Sequence, residues 1–367
     1  MEENRNCEIC GHSYPLSELT EVDGVLLCAE CFRTETVVCE RCGTRIFSED
    51  SERYEDTPLC ENCYDRYYTT CVDCGRIIHQ DDAYYIDEND YDPRCHACQC
   101  RCADHRVIHD YYYKPEPIFY GEGKRYFGVE LEIDGAGESN SNAEKILRIA
   151  NQDQEQVYIK HDGSLNEGME IVTHPMTLDY HLHQMPWAAI LNKAKEMGYR
   201  SHLARTCGLH VHTNRTAFGE TEDEQDEVIA RILYFFEKHW QELLKFSRRT
   251  KKQLSRWAER YGLKEHPSQV LDIAKGCRER YTCVNLTNYH TIEFRMFRGT
   301  LKLNTLIATL QLIDRICDCA VNLDDEEIKD LSWTTFVSGC THLPELVQYL
   351  KERRLYINEP VTAEAEV

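Results

Sequence analysis

Six Cys-x-x-Cys pairs crowd the front of this chain: Cys7/Cys10, Cys28/Cys31, Cys39/Cys42, Cys60/Cys63, Cys71/Cys74 and Cys95/Cys98. The opening pair returns every 32 residues, from Cys7 to Cys39 to Cys71, and its surroundings return with it. "CEICG", "CERCG" and "CVDCG" begin the units; "LCAECF", "LCENCY" and "RCHACQ" close them. Self-similarity at a fixed period marks one structural unit used repeatedly. A CxxC turn aims two thiolates at one point, and a second pair about twenty residues on completes a tetrahedral S₄ site that suits zinc. A unit this short cannot bury enough apolar surface to fold alone, so metal supplies much of its folding free energy. The expectation is three closed, structural Zn²⁺ sites built from these twelve cysteines.

Composition supports that reading. Fourteen of the twenty cysteines lie at or before Cys102. The opening "MEENRNCEIC" has no apolar core of a secretory signal, so a cytoplasmic protein with reduced thiols is expected. No apolar run is long enough to span a membrane. A formal charge of −22 argues against general affinity for nucleic-acid backbones, while leaving room for a local basic pocket that takes a nucleotide.

The units resemble half-modules of LIM-type zinc domains, or zinc ribbons, over roughly residues 7 to 102. That resemblance implies protein recognition rather than catalysis, and a protein partner for these modules. The joints "FRTETVV" and "DRYYTT" are longer than in a LIM domain, which leaves the packing of adjacent modules open. Cys100 and Cys102 are surplus, either replacing a ligand of the third site or standing as free thiols. His79, His96 and His105 read as surface histidines.

The chain divides into residues 1–110, holding modules at about 7–31, 39–63 and 71–98; a linker over 111–124; a catalytic domain over 125–322; a helical part over 323–355; and a disordered tail over 356–367. The linker carries prolines, glycines and aromatics that suggest packing onto a domain. Strands are expected over 125–134, 156–161, 168–173, 207–214, 281–287 and 290–298. Helices are expected over 142–151, 186–197, 222–261, 302–322 and 343–354. Strands without regular βαβ alternation favour an α+β fold with an antiparallel sheet and packed helices.

Several of these strands share an unusual polar face. In "YFGVELEID" Val129, Leu131 and Ile133 alternate with Glu130, Glu132 and Asp134. "GLHVHTN" sets His210 and His212 opposite Leu209 and Val211, and "IEFRMF" sets Glu293 and Arg295 opposite Ile292, Phe294 and Met296. "KHDGSLNEGMEIVTHP" adds Asp162 and Glu170. An ordinary solvated face would mix in Thr, Lys, Gln and Ser. Converging carboxylates repel one another unless a divalent cation relieves them, and oxygen donors with an occasional imidazole suit Mg²⁺ or Mn²⁺. Arg295 and Arg298 beside them suit phosphate oxygens.

The ordered text "GVELE", "DGSLNEGMEIVTHP", "GLHVHTN", "TIEFRMFRGT" resembles the amidoligase family, related to glutamine synthetase and glutamate–cysteine ligase, over roughly residues 125 to 300. The resemblance implies a glutamine-synthetase-like antiparallel sheet that binds ATP and two or three Mg²⁺ or Mn²⁺ ions. It implies that Glu130, Asp162 and Glu170 hold one ion, and that Glu132, His210 and Glu293 hold the ion bridging the ATP phosphates. By the same resemblance His212 lies near the phosphates and Arg295 contacts the transferring phosphoryl group, so that Arg295, Glu293 and His212 are the catalytic set. Arg298 and Lys160 are further ATP contacts, although Arg298 departs from its strand's period. Lys160, Ser164 and Asn285 are supporting residues of the site or ordinary surface groups.

The activity so implied is an ATP-dependent carboxylate–amine ligase that forms an amide through an acyl phosphate. Its substrates would be an acid and an amine, each an amino acid, peptide or protein. The alternatives are a non-catalytic zinc-module adaptor with a nucleotide-binding sheet, and a metal-dependent hydrolase. The basic run "RRTKKQLSR" (Arg248 to Arg256) reads as the solvated face of a long helix, so no nucleic-acid role is expected.

Overall fold

The computed structural model describes residues 4–54, 57–72, 74–85, 92–99, 107–204, 206–277 and 279–356. Cys100, Cys102, His105 and the tail beyond residue 356 lie outside them. The chain forms two compact units, Met1–Ala103 and Asp104–Val367.

The first unit repeats one plan. Each opening CxxCG turn is closed by a glycine N–H that donates to the first cysteine's carbonyl, from Gly11 to Cys7, Gly43 to Cys39 and Gly75 to Cys71. Those glycines sit at φ 75°, 71° and 71°, a left-handed conformation that a side chain resists. In the first two units the closing pair starts a helix, Ala29–Glu35 and Glu61–Tyr67, with Cys28 and Cys60 as N-caps. The joints left open by the sequence are themselves structured. Thr36–Val38 leaves the first helix and pairs with Arg45–Phe47 of the next unit, and Tyr68–Thr70 pairs in the same way with Ile77–His79. His79 is fully buried rather than on the surface, because this hairpin packs it against the rings of Tyr67 and Tyr68.

The second unit is an α+β fold around a seven-stranded sheet. Its strands are β1 (Ile108–His109), β2 (Phe127–Asp134), β3 (Val157–Lys160), β4 (Gly168–Thr173), β5 (Gly208–Asn214), β6 (Val284–Asn285) and β7 (Thr291–Arg298). The spatial order is β1-β3-β4-β2-β5-β7-β6. All pairings are antiparallel except the edge, where β1 runs parallel to β3. That edge makes the sheet mixed, and β1 falls in text where no strand is expected.

The helices are α1 (Asn140–Ala150), α2 (Leu178–His183), α3 (Trp187–Glu196), α4 (Glu222–Lys238), α5 (Trp240–Ser247), α6 (Lys251–Trp257), α7 (Pro267–Gly276), α8 (Leu303–Asn322), α9 (Asp325–Asp330), α10 (Trp333–Ser338) and α11 (Pro344–Glu352). The single helix expected over 222–261 is three. His239 leaves helical geometry at φ −99°, ψ 28°, and Arg248 turns left-handed at φ 61°. Thr250 then starts α6 afresh with a capping box to Gln253. One face of the sheet carries Val129, Leu131, Ile133, Val211, Ile292, Phe294 and Met296, all fully buried in one core shared with the helices. The linker packs onto this unit: the Ile118 N–H donates to His174 Nδ1 at 3.2 Å, and the Tyr120 hydroxyl donates to the Glu155 carbonyl at 2.9 Å. Among the described residues no helix is long and apolar enough to cross a membrane.

Candidate functional site

The register of the sheet gathers the polar residues of six strands. Glu170 on β4 stands opposite Lys160 on β3 and Glu132 on β2. Glu130 stands opposite His210, and His212 opposite Glu293. Glu293 in turn stands opposite Asn285 on β6. A pleated sheet sends alternate residues to one face, so pairing opposite partners aligns these side chains on the face away from the core.

Their donor atoms converge. His210 Nδ1 lies 3.6 Å from Glu130 Oε2 and 3.7 Å from Glu293 Oε1, and its Nε2 lies 3.9 Å from Glu132 Oε1. His212 Nε2 is 3.2 Å from Glu130 Oε1 and 3.9 Å from Glu293 Oε1. Glu130, His212 and Glu293 offer three ligand atoms within 4.8 Å of one another, and so do Glu130, Glu170 and His210. Glu130 belongs to both triads. Asp162 is half-buried at the border, where its Oδ1 accepts the Ser164 N–H at 2.7 Å. Asp134 goes elsewhere: its carboxylate accepts the N–H groups of Gly135, Asn166 and Glu167 and the Thr206 hydroxyl, and so braces loops.

The carboxyls do not share one ionisation state. Burial opposes the charge of Glu130, yet His212 and His210 hold its carboxyl well below the usual range. Burial likewise opposes that of Glu293, but Arg295 and His212 bring it down. Burial and the Glu130 charge push Glu170 well above the ordinary value, and burial raises Glu132. Acids forced apart in this way are what a cation would draw back to full charge.

Supporting contacts are specific. Arg295 Nη1 donates to Glu293 Oε1, and Asn285 Nδ2 donates to Glu293 Oε2 at 2.9 Å. Asn285 therefore orients a carboxylate rather than facing open solvent. The Gly208 N–H donates to Glu132 Oε2. Lys160 Nζ is 3.9 Å from Glu170 Oε2. Arg298 reaches the polar face through a bulge: β7 puts Arg295 and Met296 opposite the single residue His210, after which Phe297 pairs with Leu209 and Arg298 with Gly208. The extra residue explains the departure from period two.

Three residues of this region escape sequence reasoning. The half-buried Arg249, from the basic run, donates to the Phe297 carbonyl, and a Cβ placed on Gly208 would lie 2.7 Å from its Nη2. Burial brings it down to about 10. Tyr111 sits between cations, with Lys160 Nζ and the Arg280 guanidinium each 5.4 Å from its ring. Burial pushes its hydroxyl up to about 12. Only Arg249 has a local signal, the "TKKQ" capping box that starts a new helix immediately after it.

In the first unit Cys7, Cys10, Cys28 and Cys31 form one cluster, Cys39, Cys42, Cys60 and Cys63 a second, and Cys71, Cys74, Cys95 and Cys98 a third. Sulfur–sulfur distances include 3.9 Å for Cys10–Cys28, and 3.7 Å for both Cys42–Cys60 and Cys74–Cys95. Four thiolates at a Zn–S length of ~2.3 Å stand about 3.8 Å apart, whereas a disulfide needs ~2.05 Å. The clusters are compatible with zinc modules.

Comparison with known proteins bears on the sheet unit. Residues 150–317 match the family described as "putative amidoligase enzyme". The amidoligase match takes in β3 to β7 and supports ligase chemistry in general, but it starts beyond Glu130 and Glu132. No curated protein matches the sequence. Among solved structures, the crystal structure of a bifunctional glutathione synthetase from Pasteurella multocida is similar at 14% identity, covering 63% of this chain and 46% of that one, with a TM-score of 0.37. The chain thus spans less than half of that protein's length, and a likeness of this degree does not define the fold.

Proposed function

We propose that the second unit is an ATP-dependent carboxylate–amine ligase. The observation that carries this reading is the convergence of Glu130, Glu132, Glu170, His210, His212 and Glu293 on one face of the sheet, within an amidoligase-like chain. The donors fit Mg²⁺ or Mn²⁺: carboxylate oxygens with two imidazoles, among acids whose mutual repulsion a cation relieves. Glu130 and Glu293 with His212, and Glu130 and Glu170 with His210, would hold the ions, with Glu132 and Asp162 beside them. Bound there, divalent ions would neutralise a triphosphate. Arg295, anchored on Glu293, is placed to meet the transferring phosphoryl group, with Lys160 and Arg298 as further contacts to phosphate. Asn285 fixes the Glu293 carboxylate, and Gly208 fixes that of Glu132.

The reaction joins an acid to an amine. A substrate carboxylate oxygen attacks the γ-phosphorus and ADP leaves; the amine then attacks the acyl carbon, and phosphate leaves with the C–O bond's electrons and takes up the proton shed by the nitrogen. The Cys₄ modules bind three Zn²⁺ ions for structure and present a protein substrate or partner. The test incubates the full chain with Mg·ATP, acids and amines, and follows ADP release and condensed product by mass spectrometry. Hydroxylamine offered as the amine should yield a hydroxamate. ADP release indifferent to acid and amine would remove the ligase reading.

A further inference from the structure

One cavity of the second unit lies outside the acidic cluster and has the opposite charge. It is an open depression of about 540 Å³ whose lining includes His202, Lys245, Arg248, Arg249 and Arg353. That volume falls within the roughly 300–1,000 Å³ of ordinary ligand sites. The parts come from well-separated places: the loop before β5, the C-terminal end of α5 and the turn after it, and the residue that ends α11. Among the described residues no carboxylate oxygen lies within 4 Å of the cationic atoms of Lys245, Arg248, Arg249 or Arg353. The backbone instead holds them in place. Arg353 Nη2 donates to the Lys245 carbonyl at 2.7 Å, Lys245 Nζ donates to the Arg354 carbonyl at 3.1 Å, and Arg249 Nε donates to the Phe297 carbonyl at 3.3 Å. Arg248 Nη2 lies 3.0 Å from His202 Nε2. Burial, then the charges of Arg248, Arg298, Lys302 and Arg353, brings His202 down to about 4, so the imidazole is neutral and accepts from Arg248. A chain of formal charge −22 has thus gathered four cations around one cavity, none with a carboxylate oxygen within 4 Å, where they repel one another and favour an anion.

Arg249 connects this cavity to the acidic site. It lines the cavity, and its Nη2 stands against Gly208, the residue whose N–H holds Glu132. From this juxtaposition we infer that the cavity binds the acid substrate of the ligase through anionic groups beyond the one that reacts, so that the substrate is an oligocarboxylate: an acidic peptide or a small tricarboxylate. The inference rests on the ligase reading for the role of the ligand, but not for its binding.

The test is therefore a calorimetric titration of the full chain without ATP or divalent ions, using triglutamate, citrate, triglutamine and inorganic pyrophosphate as probes. Triglutamate or citrate should bind, and which of them binds more tightly separates the peptide source from the small acid. Affinity should fall with salt, and triglutamine should not bind. Lys245→Gln and Arg353→Gln, both surface changes, should each weaken the acidic probe by about tenfold. Equal binding of triglutamine, or unchanged affinity in both variants, would overturn the assignment. Tighter binding of pyrophosphate would overturn the carboxylate class. If the acidic probe binds and amine-dependent ADP release is absent, the ligase reading fails and the pocket stands. The converse result removes the pocket alone.

Discussion

At the scale of single residues, the sheet's polar face combines buried acids with the groups that hold them. Glu293 is gripped from both sides, by Arg295 and Asn285. Asn285→Ala should lower activity or Mg²⁺ affinity about 10–100-fold by freeing the carboxylate, while Glu293→Gln should cost more because the donor itself is lost. Titrating ADP release against Mg²⁺ separates the two, since excess metal rescues only the first. A different residue class sets the pH limit of stability. Burial brings His174, His181 and His239 down to about 4. His181 is fully engaged while neutral, donating from Nε2 to the Phe127 carbonyl and accepting the Trp187 indole N–H at Nδ1. A folded value below the unfolded one means that stability is present above pH ~6.5 and is lost as pH falls toward 4, by as much as roughly 3 kcal/mol from His181 alone. Urea denaturation at pH 7 and pH 5 should show the lower midpoint at pH 5, with the gap narrowed in His181→Gln.

At the scale of elements, period two in the sequence located the central strands to within a few residues, because each packs an apolar face into the core and turns the other to the polar cluster. It also located the acids and histidines, since strand parity alone decides which residues share a face. What periodicity could not show were partners brought from distant segments, Tyr111 and Arg280, which depend on how the chain returns to the sheet. The helix breaks at His239 and Arg248 were hidden by apolar spacing that runs through them, although the Thr250/Gln253 box marked the second. Glycines within the strands divide into two kinds. A Cβ on Gly168 would lie 2.1 Å from the Ile133 carbonyl oxygen, a backbone atom that cannot give way. On Gly208 it would meet the movable ends of His210 and Arg249, at 2.6 and 2.7 Å. Gly168→Ala should therefore lower thermal stability by about 1–3 kcal/mol, whereas Gly208→Ala should melt near the parent temperature and lose turnover. The bulge in β7 makes a further demand. Deleting Met296 would restore simple alternation with Phe297 still opposite Leu209 and packed on Phe246, at the cost of one fully buried side chain.

At the scale of the whole molecule, the two units depend on different sources of stability. The second has a single large core, whereas each repeat of the first has a cluster of only a few buried hydrophobic residues, at least half of them cysteines. Native mass spectrometry should find three zinc ions per chain, and chelation should unfold the repeats while leaving the helical circular-dichroism signal of residues 104–367 in place. Cysteine spacing made this division legible from the outset, but not the hairpins that bridge one repeat to the next. Those hairpins tie the middle repeat to a neighbour on each side and the outer repeats to one neighbour only. A row coupled this way loosens from its ends. Under a slow chelator the metals should depart in sequence rather than independently, with the ion held by Cys39, Cys42, Cys60 and Cys63 the last to go.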